Sequence, residues 1–361
     1  MASLRSSADE TPLFIVLLGE LHKWGFTDVV RELLPNADLA LRWIEEFGDR
    51  DGDGFVEYRR ATEHGFYYQG WKDSFDGINF ANGRLAEPPT ALCEVQGYVY
   101  AAYLARAQIA RGFGDVATAH SCTMRAAKLK VAFNERYWLE DHGYFALGLD
   151  GEKKTIDSLT SNIGRCLWSG IAEPDKARMV ADHLMSPEMF SGWGIRTLAS
   201  SMGAYNPVSY HNGSVWPHDT ALCAAGLMRY GFVSEAHIVT LGLLQAAQSF
   251  GGRLPELICG FDRDDIPRPV RYPTSCAPQA WSSAAVFELL RATLLRFDPS
   301  VQDGEPWIAP SLPPQIGNLK IENLPFAGTR LTITTDGTST EVAGAPPGMR
   351  IVKSVRPPSE L

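Results

Sequence analysis

The chain has 361 residues, is 45% hydrophobic and carries 33 Gly and 23 Pro, enough for one large core plus a small second module and unlike a disordered composition. Its formal charge of −9, with no Lys/Arg cluster, argues against a nucleic-acid binder, which needs a basic stripe. The six cysteines (Cys93, Cys122, Cys166, Cys223, Cys259 and Cys276) form no CxxC, lie mostly in apolar or helical context, and read as free thiols. The start MASLRSSADETPLF lacks the pattern of an export leader, and TPLFIVLLGELHKWGF falls short of the roughly 20 apolar residues a bilayer span requires. A soluble cytoplasmic protein is expected.

Apolar periodicity predicts helices over 11–22, 27–47, 90–112, 115–135, 160–169, 173–184, 215–230, 233–249 and 278–296. In 27–47, Val29, Leu33, Ala37, Leu41 and Ile44 mark one buried stripe; in 278–296, Ala284, Leu289, Ala292 and Leu295 mark a looser one. Short links such as RGFGD and RYGFVSE imply antiparallel hairpins. After Pro299 the character changes. PWIAPSLPPQIGNLKIENLPFAG reads as extended and proline-rich, RLTITTDG as a strand, EVAGAPPG as a turn and MRIVKSVRP as another strand. The expected organisation is a helical unit over 1–300 and a small β-rich extension over 301–361. Helical hairpins with long loops at one end suggest a mainly α, (α/α)6 toroid, and nine helices leave such a ring about three short. A helical bundle without closure is the plainer alternative.

The loops between the helices are crowded with tryptophans, acids and glycines: GWKDSFDG, EVQGY, SNIGRCLW, SGWGIRT, YNPVSYHNGSVWPHD and LPELICG. Aromatic faces beside carboxylates suggest a carbohydrate cleft, and glycosidic cleavage needs a carboxylic acid and a partner carboxylate. Asp73, set between Trp71 and Phe75, is the candidate general acid, because burial against rings raises a carboxyl pKa; Asp76 competes with it in the same loop. Glu256, fixed between Pro255 and Leu257, is the candidate base. Lys72, Asp76, Glu94, Gln96, Tyr58, Tyr210, His211 and Asn212 are candidate sugar contacts, with Trp71, Trp193 and Trp216 as stacking platforms.

Competing chemistries fit the spacing less well. His211, Asn212, His218 and Asp219 lack the recurrence of a metal site, and a serine triad lacks its G-x-S-x-G turn. DRDGDGFVEYRR matches a calcium loop at Asp49, Asp51, Asp53 and Gly54 but ends in Arg60 in place of the closing Glu, so a rigid acidic turn is the better reading. With no dinucleotide or phosphate-binding fingerprint, neither cofactor nor metal is expected.

DETPLF, DGDGFVEY, GWKDSFDG, EVQGYVYAA, SNIGRCLWSG, GWGIRTL, YNPVSYHNGSVWPHD and RLPELICGF together resemble the catalytic domain of bacterial glycogen-debranching-type, amylo-alpha-1,6-glucosidase-like six-hairpin glycosidases over nearly all of 9–296. The resemblance implies an inverting acid–base pair in an α/α toroid, with the Asp of the WKDS motif at Asp73 and the Glu of the LPE motif at Glu256. It also implies α-glucosidic bonds of oligosaccharides or small α-glucosides as substrates. Relatives carry a β-rich domain and opening helices before DETPLF. A ring without those helices leaves apolar faces of 11–22 and 278–296 at a seam, for which a second copy, another partner or the β extension is the expected cover, a homodimer being favoured. A non-catalytic carbohydrate-binding remnant, and a lyase or epimerase using Tyr210 and His211, are the alternatives.

Overall fold

The computed structural model describes residues 7–63 and 65–356. The N-terminal stretch read above for a leader therefore lies partly outside the described residues, as does the end of the C-terminal extension. Among the described residues there are nine α-helices: α1 (Glu10–Lys23), α2 (Thr27–Trp43), α3 (Cys93–Gly112), α4 (Val116–Arg136), α5 (Asn162–Ser169), α6 (Pro174–Leu184), α7 (Pro217–Arg229), α8 (Val233–Gln248) and α9 (Ala280–Glu288). Every stretch with helical periodicity forms a helix, with two adjustments at the ends. The last turns of the predicted 27–47 and 278–296 helices widen into π-helical segments at Ile44–Gly48 and Leu289–Leu295. The 90–112 helix starts later because Ala91–Leu92 pair as a strand with Gly148–Leu149.

The odd-numbered helices pack each on the next, from α1 to α9, and each even-numbered helix packs back on the one before it. Burial follows this division. The inner helix α3 buries thirteen of its twenty residues, whereas the outer α4 buries six of twenty-one, the narrow stripe of a surface helix. Inner-to-outer turns are short, as at Phe113–Asp115 and Tyr230–Phe232, while outer-to-inner connections are long. All the long loops therefore gather at the N-terminal ends of the inner helices. The arc is not symmetrical at its ends. α1 and α9 line opposite sides of a cavity of about 980 Å³, and on α9 Trp281 and Phe287 stay exposed. No helix among the described residues is long and apolar enough to cross a membrane.

Short strands β1 (Ala91–Leu92), β2 (Trp138–Leu139), β3 (Tyr144–Phe145), β4 (Gly148–Leu149) and β5 (Thr155–Ile156) brace the loops before α3 and α5. At the C-terminus, β6 (Leu319–Phe326), β7 (Thr329–Thr335) and β8 (Thr340–Ala343) form one antiparallel sheet in that order. Here the sequence reading is corrected three times. LKIENLPF is a strand, and so is TEVA, which the turn at Asp336–Ser339 folds back onto β7. Residues 349–356, read above as a strand within MRIVKSVRP, are not part of the sheet: they cross the 298–308 segment, where Val352 bridges Trp307 and the Arg350 N–H donates to the Gly304 carbonyl. The sheet buries Phe326, Leu331 and Ile333 against Leu295, Phe297 and Trp24, and Ile321–Pro325 enter the cavity wall. It thus covers part of the seam between α1 and the chain after α9.

Candidate active site

Isolated bridges Arg196–Val215, Val215–Ile258 and Ile258–Arg271 stitch the loops before α7 and α9 into one irregular platform. Their contact is close enough to require glycine on both sides. A Cβ on Gly260 would lie 1.7 Å from the Gly213 carbonyl oxygen, and Gly213 itself has φ +138°. On this platform Trp71, Trp216 and Leu257 form a buried cluster with Tyr210 and Tyr272 beside it. One aromatic floor therefore carries both Asp73, two residues after Trp71, and Glu256, one residue before Leu257.

Asp73 keeps one side open to solvent, yet its carboxyl is pushed above the usual range, first by desolvation and then by the negative charge of Glu256. Its loop is pinned from both directions. Lys72 is wholly buried and donates Nζ to the Thr197 carbonyl at 2.6 Å. Burial lowers its pKa to about 8, while Asp219 and Glu94 favour the charged form. Ser74 Oγ shares a 2.9 Å hydrogen bond with His211 Nδ1. His211 is held neutral, its pKa depressed to about 3 by burial and then by the charges of Lys72 and Arg165.

The Glu256 carboxylate is anchored at both oxygens. Tyr210 donates its hydroxyl to Oε1 at 2.9 Å, and the Cys276 backbone N–H reaches Oε2 at 3.1 Å. The Glu256 N–H in turn donates to the Cys276 carbonyl at 2.9 Å, and Ser282 Oγ holds the preceding Pro255 carbonyl at 2.7 Å. The Tyr210 hydroxyl thus donates its hydrogen to Glu256, while the residue stays partly open to solvent.

Beneath Trp71 lies a group of residues that sequence reasoning did not single out as a unit. The Arg165 guanidinium carbon sits 4.2 Å from the Trp71 ring centroid. Its Nε donates to Asp219 Oδ1 at 2.7 Å, one terminal nitrogen donates to the Tyr98 hydroxyl at 2.6 Å, and the other lies 3.0 Å from His218 Nε2. A signal was available: Arg165 is the one charged residue in 158–172, otherwise small, polar or apolar. A lone charge there has to be buried with partners or break the helix packing.

The other expected contacts are buried. Gln96 spends its amide on the backbone of Val56 and Leu92. Glu94 and Tyr58 are buried, Glu94 at the start of α3 and Tyr58 paired through its backbone with Thr90. Asn212 donates to the Asp76 carbonyl and accepts from Asn79, which fixes the end of the acid loop. The three expected stacking platforms are also buried. Trp71 faces Arg165, Trp193 faces Arg263, and Trp216 stacks on His211 at 5.0 Å between centroids. Interior packing claims them because a two-ring side chain at the base of a loop is the largest apolar body available to support it. Of the expected residues, Asp73, Asp76, Tyr210 and Glu256 retain solvent access.

The acidic turn holds Asp49, Asp51 and Asp53 together, with Asp49 accepting from the N–H groups of Gly52 and Gly54. Lys153 Nζ stands 2.9 Å from Asp51, 2.8 Å from Asp53 and 2.7 Å from buried Glu57. An ammonium thus serves as counter-ion to the turn and ties it to the loop before α5.

Comparison with known proteins adds the class. Residues 20–258 match the mannosylglycerate hydrolase MGH1-like glycoside hydrolase domain, and residues 300–351 match the C-terminal domain of glycosyl hydrolase family 65. The domain is of the glycosidase type. With most of its length inside the first match, the chain belongs to the MGH1-like glycoside hydrolase family. That family, rather than glycogen debranching in particular, is what the resemblance of the loops reduces to. No curated protein matches in sequence. Among solved structures, a sialidase aligns with TM-score 0.61 at 13% identity over 88% of this chain, which spans 30% of that protein's length. An uncharacterized conserved protein from Thermus thermophilus aligns with TM-score 0.60 at 16% identity, over 80% of this chain and 79% of that one. The mannosylglycerate hydrolase of glycoside hydrolase family 63 from the same organism, in complex with Tris, gives 0.58 at 16% identity over 78% and 77%. At these identities the likeness is one of fold.

Proposed function

We propose that the chain hydrolyses α-glycosidic bonds of small glycosides with inversion, Asp73 acting as general acid and Glu256 as general base. The observation that carries this reading is the shared aromatic floor. It sets an acid whose pKa is raised, the direction a general acid needs, within the field of a second carboxylate locked in orientation. Inversion calls for about 6.5–9.5 Å between the two carboxyl groups, room for one water. Asp73 protonates the departing oxygen while Glu256 takes a proton from the water attacking the anomeric carbon. The name of the matching family favours glycerate glycosides and other small α-glycosides over branched glucans. The lyase or epimerase alternative is less favoured because the Tyr210 hydroxyl donates to Glu256 and His211 Nδ1 is paired with Ser74.

The helical arc is read as part of an (α/α)6 toroid over 1–300, with 301–361 as a separate β-rich unit; the two family matches, ending at 258 and starting at 300, support that division. A second copy seated on the seam between α1 and α9 is the favoured assembly, because Leu17, Trp281 and Phe287 leave apolar surface there.

The test is a screen against glucosylglycerate, mannosylglycerate, trehalose, isomaltose and limit dextrin, with the anomer of the released sugar read by NMR. Asp73→Asn should lower turnover about a hundredfold or more on substrates with poor leaving groups. Turnover near that of the unaltered protein on such a substrate would remove Asp73 from the mechanism.

A further inference from the structure

Resting on that reading of Glu256, we infer that Tyr210 is a positioning residue for the base, and that its hydroxyl fixes which lone pair of Glu256 meets the attacking water. A carboxylate offers about four acceptor sites. Tyr210 occupies one on Oε1 and the Cys276 N–H occupies one on Oε2, so the remaining sites have a fixed direction. The two donors come from different loops, 205–216 before α7 and 271–279 before α9. The carboxylate is therefore a rivet between them and loses most of its rotational freedom.

The phenol is itself held. Its ring meets Trp216 edge-on at 4.9 Å and His211 at 4.6 Å, with Tyr272 at 5.7 Å, and the Tyr210 carbonyl accepts from Trp216 Nε1 at 2.8 Å and Ser214 Oγ at 2.6 Å. Five contacts to one residue leave its hydroxyl little choice of direction. Preorganisation of this kind places a base without reorganisation in the transition state.

The groups around Glu256 bear on what a titration would report. Tyr210 and Cys276 contact it directly, and Asp73 shares its field. Arg271 is turned away, its guanidinium bonded to Ser275 Oγ and the Ser275 carbonyl. The burial and carboxylate contact that push the Tyr210 phenol up keep it a donor throughout the working range.

Tyr210→Phe keeps the ring in its cluster and removes only the donated hydrogen bond. The expected result is kcat about tenfold lower with KM little changed, the acidic limb of the kcat/KM profile moved to higher pH, and an almost unchanged melting temperature. A raised KM with kcat and the acidic limb unmoved would make Tyr210 a substrate contact and overturn the inference. Glu256→Gln separates the two levels. If that variant stays active, the assignment of Glu256 as base has failed; if it is inactive while the Tyr210→Phe limb does not move, only the positioning role has.

Discussion

Arg165→Met is the most direct probe of how the acid loop is supported. Arg165 is 3% exposed and Asp219 is not exposed at all, so the substitution leaves a buried carboxylate without its counter-ion. It also strips a donor from the Tyr98 hydroxyl and the cation from the face of Trp71. Removing one partner of a buried pair costs about 3–5 kcal/mol, because the other charge stays desolvated. Unfolding entropy of about 2.1 cal/mol/K per residue, over 361 residues, amounts to about 0.76 kcal/mol/K. A loss of about 4 kcal/mol therefore lowers the melting temperature by about 5 °C, measurable by differential scanning calorimetry. Adding Asp219→Asn removes the stranded charge and should recover part of the loss, so the double variant is more stable than Arg165→Met alone. A drop under about 1 °C, or a double variant weaker by the full sum of the two singles, would show that the pair is not the buried support described above. Arg165→Lys should fall between, since an ammonium cannot span Asp219, Tyr98 and His218 with one planar fork.

Two other outcomes test the platform and the seam. Gly260→Ala drives a methyl group into the Gly213 carbonyl and must part the loops that carry His211 and Glu256, so a loss of activity with a melting temperature several degrees lower is expected; a fully active, equally stable protein would contradict the 1.7 Å approach. Multi-angle light scattering should find a dimer whose dissociation is promoted by Leu17→Lys or Phe287→Lys on the exposed apolar seam, and a clean monomer over a wide concentration range would rule that assembly out.

Helices were legible in the sequence because their signal is local. In 27–47 the three-to-four-residue recurrence selects a stripe that includes Ala37 and Leu41, and both are buried on α2, whereas Val29 at its start is exposed and Val30 is buried in its place. Glycine, proline and acid-rich loops marked the functional end for the same reason: what breaks a helix is written in the residues that break it. The directions of side chains within those loops were not written there. Trp71, Trp193 and Trp216 look identical in sequence whether they face a sugar or an arginine, and Arg165 and Arg263 claim two of those faces from 94 and 70 residues away. Tyr210 and Glu256 are 46 residues apart and meet only because Val215 pairs with Ile258. The strand TEVA needed β7 as a partner, and MRIVKSVRP, with equal alternation, bridges Trp307 instead of joining the sheet. Local sequence thus determined which segments are helices and where the long loops lie. Tertiary structure decided which polar groups are spent on one another and which remain for substrate, because hydrogen bonds and buried charges are settled between segments that no local pattern relates.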